Sequence, residues 1–242
     1  GYSDKRRPDE IKFADSLEED AKRRDFTING LYLDPESNEV VDAVGGMKDL
    51  KNKTIRTIGD PEDRFNEDAL RLLRAVRFAA NLGFDIDPDT EEAIKKMADN
   101  IDEISHERIR DELAKILKKG GAARGVSLLD KTGLLEHILP EVHDLHGVEQ
   151  SEKYHPEGDA YKHTVKVLRA LDEMKSPSLE LAFAALLHDV GKAKETKEEE
   201  GKITSYGHDK TGSEMVEKIG ERLKLPRKSI DRIRDLVKDH MV

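Results

Sequence analysis

Apolar residues follow two patterns along this chain, an extended one near the start and a helical one over most of the rest. Residues 28–33 and 39–44 are short apolar–polar runs separated by Asp34-Pro35-Glu36-Ser37-Asn38, turn-forming residues that predict a hairpin. Gly45-Gly46 and Gly59-Asp60-Pro61 punctuate the next stretch of chain. From Asn66 the period becomes helical. Asn66, Glu67 and Asp68 place a capping side chain and two acids where unpaired backbone N–H groups favour negative charge. Leu70, Leu73, Val76 and Ala80 recur at spacings of three and four, and Gly83 and Pro88 close the run. The same period predicts helices over 88–98, 105–119, 122–132, 163–175, 179–188, 211–223 and 228–240, with Pro140, Gly147, Pro156, Pro177 and Pro226 between them. Extended signals are confined to the start, so the expected fold is mainly α with a short α+β piece in front.

Composition agrees with this. Aromatic residues make up 5% with no Trp, which suits helices better than a β-sandwich or barrel. A length of 242 residues accommodates one large domain or two small ones. The longest apolar run, residues 181–187, falls far short of the roughly 18 residues that span a bilayer. No charged-then-apolar leader opens the chain, so a cytoplasmic protein without a membrane partner is expected. The absence of Cys excludes disulfides, thiolate zinc sites, iron–sulfur clusters and cysteine nucleophiles.

Net charge is −10, from 52 acids and 42 bases, which argues against a protein that simply coats nucleic acid. Lys5-Arg6-Arg7, Lys22-Arg23-Arg24 and Lys118-Lys119 remain as local basic stretches. All nine histidines lie at or after His106, five of them between residues 155 and 240. Together with the turn-rich stretch 147–159, this places a domain start near residue 149.

Two segments of the first half carry candidate chemistry. Arg24-Asp25-Phe26-Thr27-Ile28-Asn29 puts two charges and an amide at a strand entry, which by itself reads as a surface turn. Asp68 and Arg71, three apart, are expected on one helical face. Such a pair is ordinarily a surface ion pair worth under about 1 kcal/mol. It can also read a base edge: the carboxylate accepts from an exocyclic amine and the guanidinium donates to the adjacent ring nitrogen. Cytosine and adenine present that arrangement; guanine and uracil offer a carbonyl oxygen that Asp68 repels.

Arg23-Arg24-Asp25-Phe26-Thr27-Ile28-Asn29, Asp42 with Gly45-Gly46 and Asp49-Leu50, Ile55-Arg56, and Asp60-Pro61 through Arg64-Phe65-Asn66-Glu67-Asp68-Ala69-Leu70-Arg71 to Arg74 and Arg77-Phe78 resemble the bacterial CCA-adding enzymes and poly(A) polymerases, the class II tRNA nucleotidyltransferases. Glu107-Arg108-Ile109, Glu112-Leu113 and Gly133-Leu134-Leu135 before Leu139-Pro140-Glu141 are similar to later motifs of that family. The resemblance implies that Arg24, Asp25 and Asn29 surround a nucleotide's ribose and phosphates. It makes Asp68 and Arg71 the amino-acid template for the base, and turns Arg64 and Arg74 toward the triphosphate. It implies a nucleotidyltransferase head followed by helical regions that hold a tRNA acceptor arm, with CTP, ATP and Mg²⁺ as further partners. The family's Asp-x-Asp metal ligands follow a Gly-rich loop that has no counterpart here. Asp85-Ile86-Asp87 has the spacing but reads as turn and capping residues. A fragment lacking the catalytic segment of its head, unable to transfer nucleotides alone, is therefore expected.

In the second half, Leu186-Leu187-His188-Asp189-Val190-Gly191-Lys192 follows an apolar helix. An adjacent His-Asp binds a divalent metal when further ligands arrive from other helices. His163, His208 and His240 are the candidates, and Lys192 is either a phosphate contact or a solvated lysine. The arrangement resembles the HD superfamily of metal-dependent phosphohydrolases. His155-Pro156-Glu157-Gly158-Asp159 before His163 is similar to the version fused to some bacterial CCA-adding enzymes, which acts on 2′,3′-cyclic and 2′-phosphates. That resemblance makes His163, His188 and Asp189 metal ligands, with His188 and Asp189 catalytic. His208 and His240 would serve a two-metal variant, with Ni²⁺, Mn²⁺ or Mg²⁺ as the ion and Asp235 or Asp239 as the distal ligand.

The expected organisation is a head remnant over 1–57, a helical neck with the template and an RNA-binding region over 58–148, and an all-α HD domain over 149–242. The expected function is part of a CCA-adding tRNA nucleotidyltransferase with phosphodiesterase and phosphatase activity. A poly(A) polymerase, a CC- or A-adding relative, a self-sufficient HD phosphohydrolase with an RNA-binding front half, and a non-catalytic RNA-binding module remain open alternatives.

Overall fold

The computed structural model describes residues 17–151, 156–199 and 202–241. Lys5-Arg6-Arg7 and His155 lie outside them. The chain divides into two compact units, Gly1–Ile104 and Ser105–Val242.

The first unit opens with α1 (Leu17–Arg23), a 3₁₀ turn at Thr27–Asn29, and an antiparallel hairpin of β1 (Leu31–Leu33) and β2 (Val40–Asp42). The sequence predicts a longer first strand, but Ile28 lies in the 3₁₀ turn. The Asp34 carboxylate accepts from the Glu36 amide at 2.8 Å, closing the tip of the hairpin. Asp42 accepts from the amides of Gly46 and Met47 at 2.9 and 3.0 Å and so starts α2 (Gly46–Lys51).

β3 (Thr54–Ile55) leads to α3 (Pro61–Glu67), with Asp60 as its N-cap and Pro61 in its first turn. α3 corrects the predicted helix start at Asn66. Asp68 is extended (φ −153°, ψ 102°), and α4 (Leu70–Leu82) begins after it, so Asp68 and Arg71 do not share a continuous helix. α4 buries Leu72, Leu73, Ala75, Val76 and Ala79, and ends at Gly83, whose φ of +65° suits glycine.

β4 (Asp85–Ile86) pairs in parallel with β3, Asp85 opposite Thr54. Asp85 is therefore a strand residue rather than a turn residue. Asp87 caps α5 (Pro88–Lys96) by accepting from the Thr90 amide at 3.3 Å, and a 3₁₀ segment, Ala98–Glu103, follows.

The second unit is a helical bundle: α6 (His106–Lys118), α7 (Ala122–Lys131), α8 (Leu134–Ile138), α9 (Pro140–His143), α10 (Ala160–Asp172), α11 (Leu179–Leu187), α12 (Lys192–Glu195), α13 (His208–Arg222) and α14 (Arg227–Lys238). Between α12 and α13 lies a hairpin of β5 (Lys197–Glu199) and β6 (Lys202–Thr204), an extended element outside the predicted opening segment. Its charged composition hid it, because neither strand buries an apolar face that would leave a period of two. α10 starts three residues before the predicted His163, since Asp159 caps it from the Lys162 amide at 2.9 Å. α13 likewise starts at His208 instead of Thr211. α11 is apolar on nearly all sides and sits centrally, against α6, α10 and α14. α14 turns Ile230, Ile233 and Val237 inward against α11 and α13.

Candidate metal centre and nucleotide-facing surface

The end of α11 carries the strongest site. His188 is the C-cap of that helix and Asp189 follows in a tight turn, so local backbone hydrogen bonds place both. Asp189 is 1% exposed, deep enough that its charge needs compensation. Its Oδ2 lies 3.2 Å from His188 Nε2 and 4.0 Å from His163 Nε2. Its Oδ1 lies 3.5 Å from His208 Nε2 and 3.7 Å from His240 Nε2. Four helices thus deliver four imidazoles to one carboxylate, and Asp189 belongs to two triads, one with His163 and His188, the other with His208 and His240.

The outer nitrogen of each ring is occupied. Nδ1 of His188 donates to the Ala185 carbonyl at 2.9 Å, that of His208 to Ser205 at 2.6 Å, and that of His240 to Val237 at 2.5 Å. Nδ1 of His163 meets Glu157 Oε1 at 2.5 Å. With the proton held on Nδ1, every Nε2 turns a lone pair toward the centre. Buried His188 Nε2 and Asp189 Oδ1 make no hydrogen bond. Imidazole nitrogens and a buried carboxylate are the donors that divalent transition metals take, so the set fits such an ion. Asp235 and Asp239 are exposed and belong to none of the three clusters that His, Asp and Glu form among the described residues, which corrects their reading as distal ligands.

Burial opposes ionisation of Asp189, but the neighbouring His188, His240 and Lys192 hold its carboxyl well below the usual carboxylate range. Burial pushes the His208 imidazole down from its ordinary value. At His240 burial acts in the same direction, yet the Asp189 carboxylate outweighs it and the net shift is upward.

Lys192 is neither solvated nor free. It is 7% exposed, and its ammonium donates to Asp189 Oδ2 at 2.8 Å and to Gln150 Oε1 at 2.7 Å. Gln150 and Glu157 are the contributors that motif reading missed. Glu157 stands in the turn before α10, where only its nearness to His163 gave a signal; nothing in the sequence marks Gln150. Gly191 lets α12 approach the start of α13: a Cβ there would lie 2.1 Å from the His208 carbonyl oxygen.

In the first unit the two distant motifs meet. Arg74 donates from Nε to Asp25 Oδ2 at 2.8 Å and bonds the same oxygen through Nη2. Asp25 Oδ1 accepts from Asn29 Nδ2 and from the Phe26 amide, both at 2.9 Å. Arg64 Nη2 reaches the Arg23 and Arg24 carbonyls at 2.8 and 2.6 Å, strapping α3 to the turn after α1. Arg24 stays on the surface, bound to Asp20 at 3.0 Å and to the Tyr32 hydroxyl at 2.9 Å.

Arg71 Nη1 donates to Glu67 Oε2 at 2.7 Å and to the Arg64 carbonyl at 2.9 Å. Asp68 Oδ1 accepts from the Leu70 amide at 3.1 Å. Both residues still stand at the same end of α4, with the Arg71 amide on the Asp68 carbonyl at 3.0 Å.

The first unit thus sets a carboxylate and arginines at a helix junction, and the second gathers four histidines around one aspartate. In comparison with known families, residues 1–56 match the poly A polymerase head domain, 83–145 the probable RNA- and SrmB-binding site of polymerase A, and 160–242 the HD domain. Over 242 residues the chain is 38% identical to an A-adding tRNA nucleotidyltransferase of Deinococcus radiodurans, a match covering 97% of this chain and 55% of that protein. A multifunctional CCA protein of Neisseria gonorrhoeae is 39% identical over 214 residues, 88% of this chain and 50% of its own length. The crystal structure of a Bacillus stearothermophilus CCA-adding enzyme in complex with CTP superposes with a TM-score of 0.56 at 32% identity, covering 93% of this chain and 56% of that one. The chain carries an HD domain and, before it, segments that match the head and RNA-binding parts of poly(A) polymerases. It spans about half the length of the curated relatives it matches. Family and HD domain imply use of a divalent metal. Among the described residues, no helix is long and apolar enough to cross a membrane.

Proposed function

We propose that this chain forms part of a tRNA nucleotidyltransferase that adds C and A to tRNA 3′ ends from CTP and ATP with Mg²⁺, and that its HD domain is a phosphodiesterase and phosphatase. In this reading residues 1–57 belong to the head, 58–148 to a neck that holds the acceptor arm, and 149–242 to the HD domain. Asp68 accepts from the exocyclic amine of cytosine or adenine, and Arg71 donates to the ring nitrogen. The guanidinium has five donors, and the contacts of Nη1 leave others for a base. Arg24, Asp25 and Asn29 line the ribose and phosphates, with Arg64 and Arg74 beside them.

His163, His188, Asp189, His208 and His240 hold Ni²⁺, Mn²⁺ or Mg²⁺, with His188 and Asp189 nearest the reaction. Bound there, the ion supplies Lewis acidity that activates water and polarises a phosphoryl oxygen. Glu157 and three backbone carbonyls keep each ring proton on Nδ1, and Lys192 offers a positive charge to a phosphate. The observation that carries the hydrolytic reading is the convergence of four Nε2 atoms on buried Asp189.

Hydrolysis of 2′,3′-cyclic AMP by the purified chain with Ni²⁺, Mn²⁺ or Mg²⁺, beside Asp189→Ala, tests it. Metal-dependent turnover abolished in the variant supports the reading; no turnover with any of the three ions overturns it. A second reading, an A-adding enzyme, rests on the match to the Deinococcus protein, which covers 97% of this chain. Extension by the full-length protein of a tRNA already ending in CC, but not of one lacking the terminal CCA, would select it.

A further inference from the structure

Three histidine and aspartate side chains away from the HD centre form a second cluster. Asp130 stands near the end of α7, and His143 and His146 lie at and just past the end of α9. The His146 amide donates to the His143 carbonyl at 3.1 Å, so the turn continues helically and brings both rings to one side. Asp130 Oδ1 is 2.9 Å from His146 Nε2 and 3.4 Å from His143 Nδ1, and the three donor atoms all lie within 4.8 Å of one another.

Nitrogen and oxygen ligands about 2.0–2.2 Å from a tetrahedral ion are roughly 3.3–3.5 Å apart; the Asp130–His143 distance falls in that range and the Asp130–His146 distance below it. The Tyr161 ring stacks on His146 with centroids 3.9 Å apart, fixing that imidazole. The Tyr161 hydroxyl is buried without a hydrogen-bond partner. His143 and His146 also line a cavity of about 400 Å³ with Glu141, Lys194 and Met215.

We propose that Asp130, His143 and His146 form a second, independent binding site for a divalent transition metal, with its open coordination position facing this cavity. Two imidazoles and one carboxylate select Zn²⁺, Co²⁺ or Ni²⁺ over Mg²⁺, which prefers oxygen and water. The negative Asp130 at the centre disfavours an anion as occupant. Three protein ligands beside a cavity match sites that keep a place for water or substrate.

Calorimetric and visible-absorption titration of the metal-free chain with Co²⁺ tests this. Asp189→Ala should keep one equivalent, with d–d bands, and Asp189→Ala/His143→Ala/His146→Ala should lose it. His146→Gln, whose amide still donates to Asp130, should fold as the parent by circular dichroism and bind one equivalent fewer, or bind that equivalent at least tenfold more weakly. Absence of any Co²⁺ equivalent in Asp189→Ala that retains its fold, or an unchanged titration in His146→Gln, overturns the proposal. Neither outcome bears on turnover at the HD centre, so the two readings fail separately.

Discussion

Substituting Gly191 by Ala probes the coupling between fold and metal centre. Gly191 has φ −66° and ψ −22°, which alanine adopts freely, so any effect is steric. The new Cβ would stand 2.1 Å from the His208 carbonyl oxygen and 2.7 Å from the Gly212 nitrogen. An ordinary carbon–oxygen contact needs about 3.3 Å, so α12 and the first turn of α13 must separate by roughly 1.2 Å. Both obstructing atoms are backbone and cannot rotate away. Overpacking of this kind costs about 2–3 kcal/mol, which in a chain of this size lowers Tm by about 4–12 °C.

The same movement carries His208, whose Nε2 is 3.5 Å from Asp189 Oδ1, out of the cluster. Metal sites tolerate about 0.2 Å, so affinity for Ni²⁺ or Mn²⁺ should fall at least tenfold. Gly212→Ala serves as the graded control: its Cβ meets the Val237 side chain at 3.3 Å, which can yield, and the loss should stay under about 1 kcal/mol. Differential scanning calorimetry and metal titration read both quantities. A Gly191→Ala chain with parental Tm and parental metal affinity would refute the argument that glycine is needed there for backbone approach.

Other perturbations reach the remaining parts. Glu157→Gln weakens the acceptor for His163 Nδ1 and should reduce metal affinity about 10–100-fold with little change in Tm, measurable by calorimetry. Asp25 is held below its ordinary pKa: burial opposes its charge, but Asn29, Arg74 and the Phe26 amide overcome that. A depressed native pKa stabilises the fold above the unfolded value of about 3.9 and loses that contribution as pH falls through it. Asp25→Asn should therefore lower stability at pH 7 and flatten the acid limb of the stability profile below about pH 4; an unchanged limb in urea titrations would contradict this. Asp68→Ala should erase any preference of the chain for ATP and CTP over GTP and UTP in equilibrium binding, and a preference that survives it removes Asp68 from the template. Chelation should abolish phosphohydrolase turnover, with restoration by added Ni²⁺ or Mn²⁺ as the check.

Much of this protein is legible in its order of residues. Helical periods, prolines between helices, and caps such as Asp60, Asp87 and Asp159 act over a few positions, so α4, α5, α7 and α14 can be traced to within a few residues of their ends. His188-Asp189 after an apolar helix is equally local. Where competing local signals were close in strength, the sequence misled: Asn66-Glu67-Asp68 looks like a helix start, yet Asp60-Pro61 caps an earlier helix and Asp68 becomes the break. The short hairpin of β5 and β6 left no period because its side chains are mostly polar.

Which histidines meet is settled by packing alone. His163, His188, His208 and His240 are brought to Asp189 by the way α10, α11, α13 and α14 cross, and no spacing along the chain encodes that convergence. The direction of each ring was likewise undetermined until Glu157 and the carbonyls of Ala185, Ser205 and Val237 were placed against the Nδ1 atoms. The same holds for Arg74 on Asp25, 49 residues away, and for Asp130 with His143 and His146. Patterning specifies elements because backbone sterics and burial of one face are local; a site of convergent polar groups depends on how elements cross, which is set by the packing of all of them at once.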